Sequence, residues 1–300
     1  MVEVVVIGEC MVELGLAGPR QAAIGYAGDT FNTAVYLARL GISAAYATAV
    51  GQGDPFSAGI LALMDEEGVA RDLVAEAPGR LPGLYAIQRD EHGERSFFYW
   101  RSEAPARDYM ALADGQALQA AMDGAKLVYV SAITLAILGQ AGREALRTRL
   151  LQAAQAGAGL VLDTNYRARL WPDAAVARDA VEAVARHCKI ISTGEQDLEG
   201  LALGEADARR WAAAGAEVVF RRESRDISVF VGEASASNPA DPSAPVVDTT
   251  GAGDAFNAGY LAARLAGQEP AEAVAAGRRL AGIVVQHRGA IIPRSAMPRA

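Results

Sequence analysis

Apolar residues in this chain follow two rhythms. Residues 2–7 form an almost continuous β-branched run that stops at Gly8, as a strand buried on both faces requires. Residues 31–40 then place apolar side chains at helical spacing and stop at Gly41, and residues 56–67 do the same before Gly68. Residues 44–50 between them read as a second strand, followed by a turn over 51–55. This alternation predicts a parallel sheet with right-handed crossovers. The pattern resumes after Tyr109, with strands expected at 126–131, 159–163, 189–192, 217–220 and 227–231. Helices are expected over 111–125, 141–155, 174–186, 252–266 and 270–286, and a Pro/Ser/Asp loop over 238–245.

The rhythm breaks between Leu81 and Tyr109. Residues 84–89 and 95–101 are two strand-like runs joined by the turn sequence of residues 90–94. A hairpin set between helical units does not easily join a parallel sheet. It is expected to project as a small β-sheet lid, together with the segment 11–26.

Composition narrows the class. The chain has 300 residues, 51% hydrophobic and 21% charged, enough for one large α/β core. Its net charge of -8 argues against nucleic acid as a partner. Cys10 and Cys188 lack the spacing of a metal site or a disulfide framework, and no metal ligand set is assigned. Residues 1–8 lack the basic and long apolar segments of a secretion signal, and no run approaches the roughly 20 apolar residues that span a bilayer. A soluble, cytoplasmic protein is expected.

The strongest chemical signal is Asp248-Thr249-Thr250-Gly251-Ala252-Gly253-Asp254, leading into a helix. Gly251 and Gly253 let the backbone approach a ligand closely. The first turn of the helix offers unpaired N–H groups and a positive dipole end, an anion hole suited to phosphate. Asp254 at the same helix start can accept a proton from an attacking hydroxyl. The run lacks the Gly-Lys-Ser/Thr of a Walker loop, and its position near the C-terminus is wrong for a dinucleotide fingerprint.

These residues, with Ala255-Phe256, resemble the C-terminal signature of the PfkB/ribokinase-type carbohydrate kinases. Gly28-Asp29-Thr30-Phe31-Asn32-Thr33-Ala34 and Leu37-Ala38-Arg39-Leu40-Gly41 resemble their N-terminal signature, in the same order and separation. Within the family, several runs are most similar to the members that phosphorylate 2-keto-3-deoxygluconate. They are the runs over residues 8–14, 80–85, 93–104, 163–171 and 288–294, with Tyr99-Trp100-Arg101 and Asn165-Tyr166-Arg167 the more specific pointers to a keto-acid substrate. The resemblance implies one ribokinase-like domain over 1–300, a Rossmann-like α/β/α sandwich whose lid comes from about 11–26 and 82–108. It implies ATP and Mg²⁺ as cofactors and a small sugar acid as substrate. Asp254 would be the base, with Gly251, Ala252 and Gly253 as the anion hole. Gly28, Asp29, Asn32, Tyr85, Tyr99, Trp100, Arg101 and Arg167 would touch the sugar. Asn165, Asp197, Arg221 and Thr249 would serve the nucleotide, and the acidic run Glu195, Asp197, Glu199 would hold Mg²⁺ through water.

Chemistry read from the residues agrees. A substrate carboxylate calls for a planar, permanently charged partner, which Arg101 or Arg167 supplies. Tyr85, Tyr99 and Trp100 alternate along strands, so not all of them can face one ligand. An exposed lid edge invites pairing into a homodimer or higher oligomer. The gluconate and galactonate configurations of the substrate are both compatible with these residues. Two rival readings stand beside this one: another sugar kinase of the family, such as a fructokinase or ribokinase, and a sugar-binding protein with impaired catalysis. The second is motivated by two departures. The family's Asn-x-x-Glu element reads Gly194 and Asp197 here. Its Lys/Arg-x-Gly-x-x-Gly turn reads Arg221-Arg222-Glu223-Ser224-Arg225-Asp226, whose side chains are expected to crowd the nucleotide unless the loop takes another path.

Overall fold

The β-branched runs assemble into one large twisted sheet in the computed structural model, which describes residues 2–18, 20–89, 95–239 and 246–298. In chain order the strands are β1 (Val4–Ile7), β2 (Met11–Gly18), β3 (Gln21–Ala27), β4 (Ala44–Gln52), β5 (Val74–Pro78), β6 (Leu84–Arg89) and β7 (Arg95–Trp100). They continue as β8 (Leu127–Ser131), β9 (Gly159–Asp163), β10 (Cys188–Gly194), β11 (Glu217–Arg221), β12 (Ile227–Val231) and β13 (Ala234–Asn238). Nine strands form the main sheet in the order β13-β12-β11-β10-β9-β8-β1-β4-β5. All its pairings are parallel except β11–β12 and β12–β13. The chain runs outward from β1 in both directions, and β1 is therefore the switch point where open α/β sheets form a crevice at their carboxyl ends.

Strand alternation divides the core in two. Val5 and Ile7 pack on one face with Leu146, Leu150, Val181 and Trp211. Val4 and Val6 pack on the other with Phe31, Leu37, Leu261 and Val284. The helices Asp29–Arg39, Pro55–Glu67, Ala252–Leu265 and Pro270–Val284 thus cover one face. Those from the middle of the chain, including Gly139–Ala156 and Ala174–Ala185, cover the other. The layers are α/β/α, as expected.

Two local readings are revised. The helix expected over 111–125 is two pieces, Tyr109–Leu112 and Gly115–Gly124. Asp114 restarts the second by accepting from the N–H groups of Gln116 and Ala117 at 2.9 and 3.1 Å. β5 and β13 are additional edge strands whose mixed, partly exposed residues carry no strand-like alternation.

A second sheet has the order β3-β2-β6-β7. The hairpin β6–β7 and the segment 11–27 form it together. The expected turn over 90–94 and most of the loop over 238–245 lie outside the described residues. After Trp100 the chain leaves this sheet. Residues Pro105–Asp108 form a 3₁₀ turn, and Ala106 is buried in the core of the main sheet.

Candidate active site

Register decides which way the small sheet faces. Tyr85 lies opposite Tyr99, Ile87 opposite Phe97, and Glu13 opposite Tyr85. Met11, Tyr85 and Ile87 on this face bury against Ala27 and against Ala290 of the main body, with Phe97 and Tyr99 beside them. Leu14, Ile24, Ala86, Phe98 and Trp100 share the opposite face. The inner face therefore roofs a crevice of about 830 Å³, walled below by Gly28, Asn32, Asp163, Asn165, Gly251 and Asp254.

Trp100 is 61% exposed on the outer face and does not line this cleft. The expected sugar contact is corrected for the reason that makes Tyr85 and Tyr99 inward: successive strand residues point to opposite sides. Tyr85 and Tyr99 stack with ring centres 5.6 Å apart, and the Tyr85 hydroxyl is hydrogen-bonded to Glu13.

Asp254 sits in the first turn of the helix Ala252–Leu265 and is 9% exposed. Burial pushes its carboxyl well above the usual carboxylate range, and the nearby Asp29 adds to this. Asn32 opposes the shift, because its amide donates to Asp254 Oδ2 at 2.8 Å. The amide is itself oriented, with its oxygen accepting from the Gly28 N–H at 3.4 Å. Asn32 thus steers the carboxylate. Asp29 accepts from Asn165 Nδ2 at 3.0 Å, and Asn165 lines the lidded cleft and not the second one beyond the helix start.

Gly28 has a more local reason than ligand access. A Cβ there would lie 2.0 Å from the Glu9 carbonyl oxygen. Gly251 is left-handed, with φ 76°, and its Cβ would meet the Ala290 carbonyl oxygen at 2.6 Å. Gly253 meets nothing within 4 Å and opens onto the cleft. Among the described residues, the N–H groups of Gly251 and Gly253 have no partner, whereas that of Ala252 donates to the Thr249 carbonyl at 3.3 Å. Of the three expected anion-hole groups, the N–H groups of Gly251 and Gly253 are therefore the ones left open to a ligand.

The arginines divide. Arg101 lines the cleft, but its guanidinium is ion-paired with the buried Glu9, whose carboxyl burial pushes up and Arg101 pulls down. Arg167 lines the cleft with its Nη1 on the neighbouring Tyr166 carbonyl at 2.8 Å. Two cleft arginines escaped the sequence reading. Arg169 lies 3.8 Å from the Tyr99 ring centre. Arg95 reaches from β7 to Asp248 and Thr250, and to Thr249 Oγ1 at 2.9 Å. Both fall inside the resembling runs over 93–104 and 163–171, which give neither of them a role; the pairing of lid with body brings Arg95 to the site, and Arg169 stands two residues beyond Arg167 in the same loop.

A second cleft, of about 670 Å³, opens beyond the helix start, and Arg221 and Gly253 line both. Arg221 is held at the junction by Ser192 Oγ at 2.9 Å, Asn257 Oδ1 at 3.0 Å and Asp163 at 3.4 Å. Asp163, buried at the end of β9, was not singled out in the sequence. Burial raises its carboxyl to about 6, against the pull of Arg221. Thr249 lines the lid-side cleft and Asp197 lines neither. The Asp197 carboxylate instead accepts from Thr164 Oγ1 and the Tyr166 N–H, both at 3.0 Å, and braces the Asn165–Arg167 loop. Glu195 accepts from the Glu223 N–H at 2.9 Å. No three His, Cys, Asp or Glu side chains among the described residues converge as a metal cage.

A buried carboxylate and empty N–H groups at one helix start, between a lidded cleft and a second cleft, are the parts of a phosphoryl-transfer site on a ribokinase-like fold. The chain belongs to the pfkB family of carbohydrate kinases, whose signature matches residues 1–297. It is 40% identical over 307 residues to a 2-dehydro-3-deoxygluconokinase of Dickeya dadantii, covering 98% of each chain. It is 38% identical to the protein of that name from Escherichia coli strain K12, covering 99% of each. Among solved structures it resembles a 2-dehydro-3-deoxygluconokinase of Thermotoga maritima, with TM-score 0.84, 21% identity and 97% of this chain and 96% of that one covered. An Escherichia coli ribokinase II, described as a complex with ATP and Mg²⁺, superposes with TM-score 0.84 at 19% identity, covering 97% and 95%.

Proposed function

We propose that this carbohydrate kinase transfers the γ-phosphoryl group of ATP to the terminal hydroxyl of 2-keto-3-deoxygluconate, in the cytoplasm and as a homodimer or higher homo-oligomer. The observation that carries the reading is the buried Asp254 carboxylate in a cleft that Arg167 and Arg169 also line. The near-full-length likeness to the enzymes from Dickeya dadantii and Escherichia coli supports the choice of sugar acid.

The residues divide the work as follows. Arg167 holds the substrate carboxylate, with Arg169 beside it, and selects an acid over a neutral sugar. Tyr85 and Tyr99 cover the carbon chain. Asn32 fixes Asp254 Oδ2, so Oδ1 receives the proton of the attacking hydroxyl. The raised Asp254 carboxyl makes it a better proton acceptor than an exposed aspartate. The N–H groups of Gly251 and Gly253 stabilise the charge on the phosphoryl group in flight. Arg221 takes phosphate oxygens at the junction, and the apolar wall of Ile227, Phe256 and Ile283 accepts the nucleoside. A magnesium ion bound with the nucleotide would offset the charge of its phosphates. The lid keeps water from the site.

Leu16, Ile24, Phe98 and Trp100 expose an apolar patch on the lid's outer face, which supports pairing of two copies there. The two cysteines are free and buried, which fits a reducing compartment.

The test is ADP release with Mg·ATP and a panel of 2-keto-3-deoxygluconate, its galactonate epimer, fructose and ribose. The reading predicts turnover of the keto-deoxy acid at a kcat/KM at least about tenfold above the neutral sugars. Preferred turnover of fructose or ribose contradicts it.

A further inference from the structure

The turn that departs from the family pattern, Arg222 to Asp226, joins β11 to β12 along the rim of the second cleft. Its backbone is a tight reversal, with the Arg225 N–H on the Arg222 carbonyl and the Arg222 N–H on the Asp226 carbonyl, both at 2.9 Å. Arg225 sits at its left-handed position with φ 68°, where hairpin loops of this kind normally place glycine. The reversal closes without glycine, at the cost of backbone strain at Arg225. The turn is fastened from outside: Arg278 of the helix Pro270–Val284 donates to the Arg225 carbonyl at 3.0 Å and to the Asn238 carbonyl at 2.7 Å.

The cleft beside it is strongly one-signed. Arg221, Arg225, Arg278 and Arg279 line it, and among the described residues no carboxylate does. Elsewhere in this acidic chain arginines find carboxylates: Arg39 has Glu67, Arg222 has Glu205 and Arg264 has Glu217. The guanidinium groups of Arg225 and Arg279 have no hydrogen-bond or ion-pair partner among the described residues. Unpaired cations on the wall of a cleft that joins the anion hole through Arg221 and Gly253 call for a polyanion.

We infer that Arg225 and Arg279 bind the phosphate chain of the nucleotide through their side chains, taking the place of the close backbone approach that a glycine turn gives. The inference rests on the reading of the second cleft as the nucleotide site. Arg225 carries this role at a position whose backbone would be better served by glycine, so binding and stability pull in opposite directions there.

That opposition supplies the test. Mg·ATP, ADP and adenosine are titrated onto the wild type, Arg225→Gly and Arg279→Gln by calorimetry, with thermal melts of each. Arg225→Gly is expected to melt at the same or a higher temperature, while its Kd for Mg·ATP rises about tenfold, the loss of one charge-assisted hydrogen bond to phosphate. Arg279→Gln weakens Mg·ATP similarly, and adenosine binds all three proteins alike. Unchanged Mg·ATP affinity in both variants overturns the inference, as does an equal loss for adenosine, which would place the arginines on the nucleoside. Failure of the wild type to bind Mg·ATP overturns it too. Titration needs no sugar. Arginine-dependent binding without turnover of any sugar acid would keep this inference and remove the proposed reaction, and turnover with arginine-independent ATP binding would do the reverse.

Discussion

Asp254 is costly to the fold in the form that the chemistry requires. Its carboxyl is raised in the folded protein above its unfolded value, so the native state binds the extra proton. Its stabilising contribution is therefore present at low pH and lost as pH rises through the folded value, and Asp163, raised to about 6, adds the same trend. Asp254→Asn should then melt higher than the wild type at neutral pH, with the gap closing as pH falls toward 4. Melting curves across pH check this, and a variant less stable at neutral pH would show that the ionised carboxylate is well paired. The two expected sugar arginines also separate at this scale. Arg101 is buried against Glu9, so Arg101→Ala leaves an unpaired buried carboxylate and should lose about 3–5 kcal/mol of stability in denaturant melts. Arg167→Ala should leave stability within about 0.5 kcal/mol. Its effect falls on the KM for the sugar acid, expected to rise at least about tenfold in steady-state kinetics.

Elements explain why neighbouring residues of one motif differ. The turn before the helix Ala252–Leu265 has two glycines with different duties. Gly251 is left-handed and backed by the Ala290 carbonyl, so a side chain there strains the fold. Gly253 faces open space, so Gly253→Ala should fold with an unchanged melting temperature. Its methyl group would stand where the phosphoryl group passes, and kcat/KM should fall about 10²-fold. Equal activity would remove Gly253 from the anion hole. The lid follows the same logic across its register. Tyr99 faces the cleft and Trp100 faces outward, so Trp100→Ala should leave the KM for the sugar acid unchanged. The same substitution should weaken self-association, read by sedimentation as a larger monomer fraction.

At the scale of the molecule, much of the fold is legible in the sequence. Continuous apolar strands and glycine-stopped helices announce a parallel α/β sheet, and the hairpin that breaks the rhythm announces a separate lid. The helix-start motif at 248–254 points to the proposed phosphate side because glycine, dipole and carboxylate fall within a few residues of one another. Contacts across distant segments were not legible. Asp163 with Arg221, Arg95 with Thr249 and Glu9 with Arg101 join residues whose spacing carries no period. Asp197 and Asn165 were placed on the nucleotide by analogy of position, whereas their hydrogen bonds turn them to the loop after β9 and to Asp29. The glycine-free turn was expected to crowd a nucleotide. Arg225 of that turn lines the rim of the arginine-lined cleft.

The account centres on Asp254 as the base of a sugar-acid kinase. Its most direct measurement is the rate of ADP release from Mg·ATP and 2-keto-3-deoxygluconate, by wild type and Asp254→Asn, across pH. The account predicts wild-type turnover that falls on the acid side at a pH above the usual carboxylate range. It predicts an Asn variant at least about 10²-fold slower. A wild type that does not turn over this acid, or an Asn variant that keeps the wild-type rate, would contradict it.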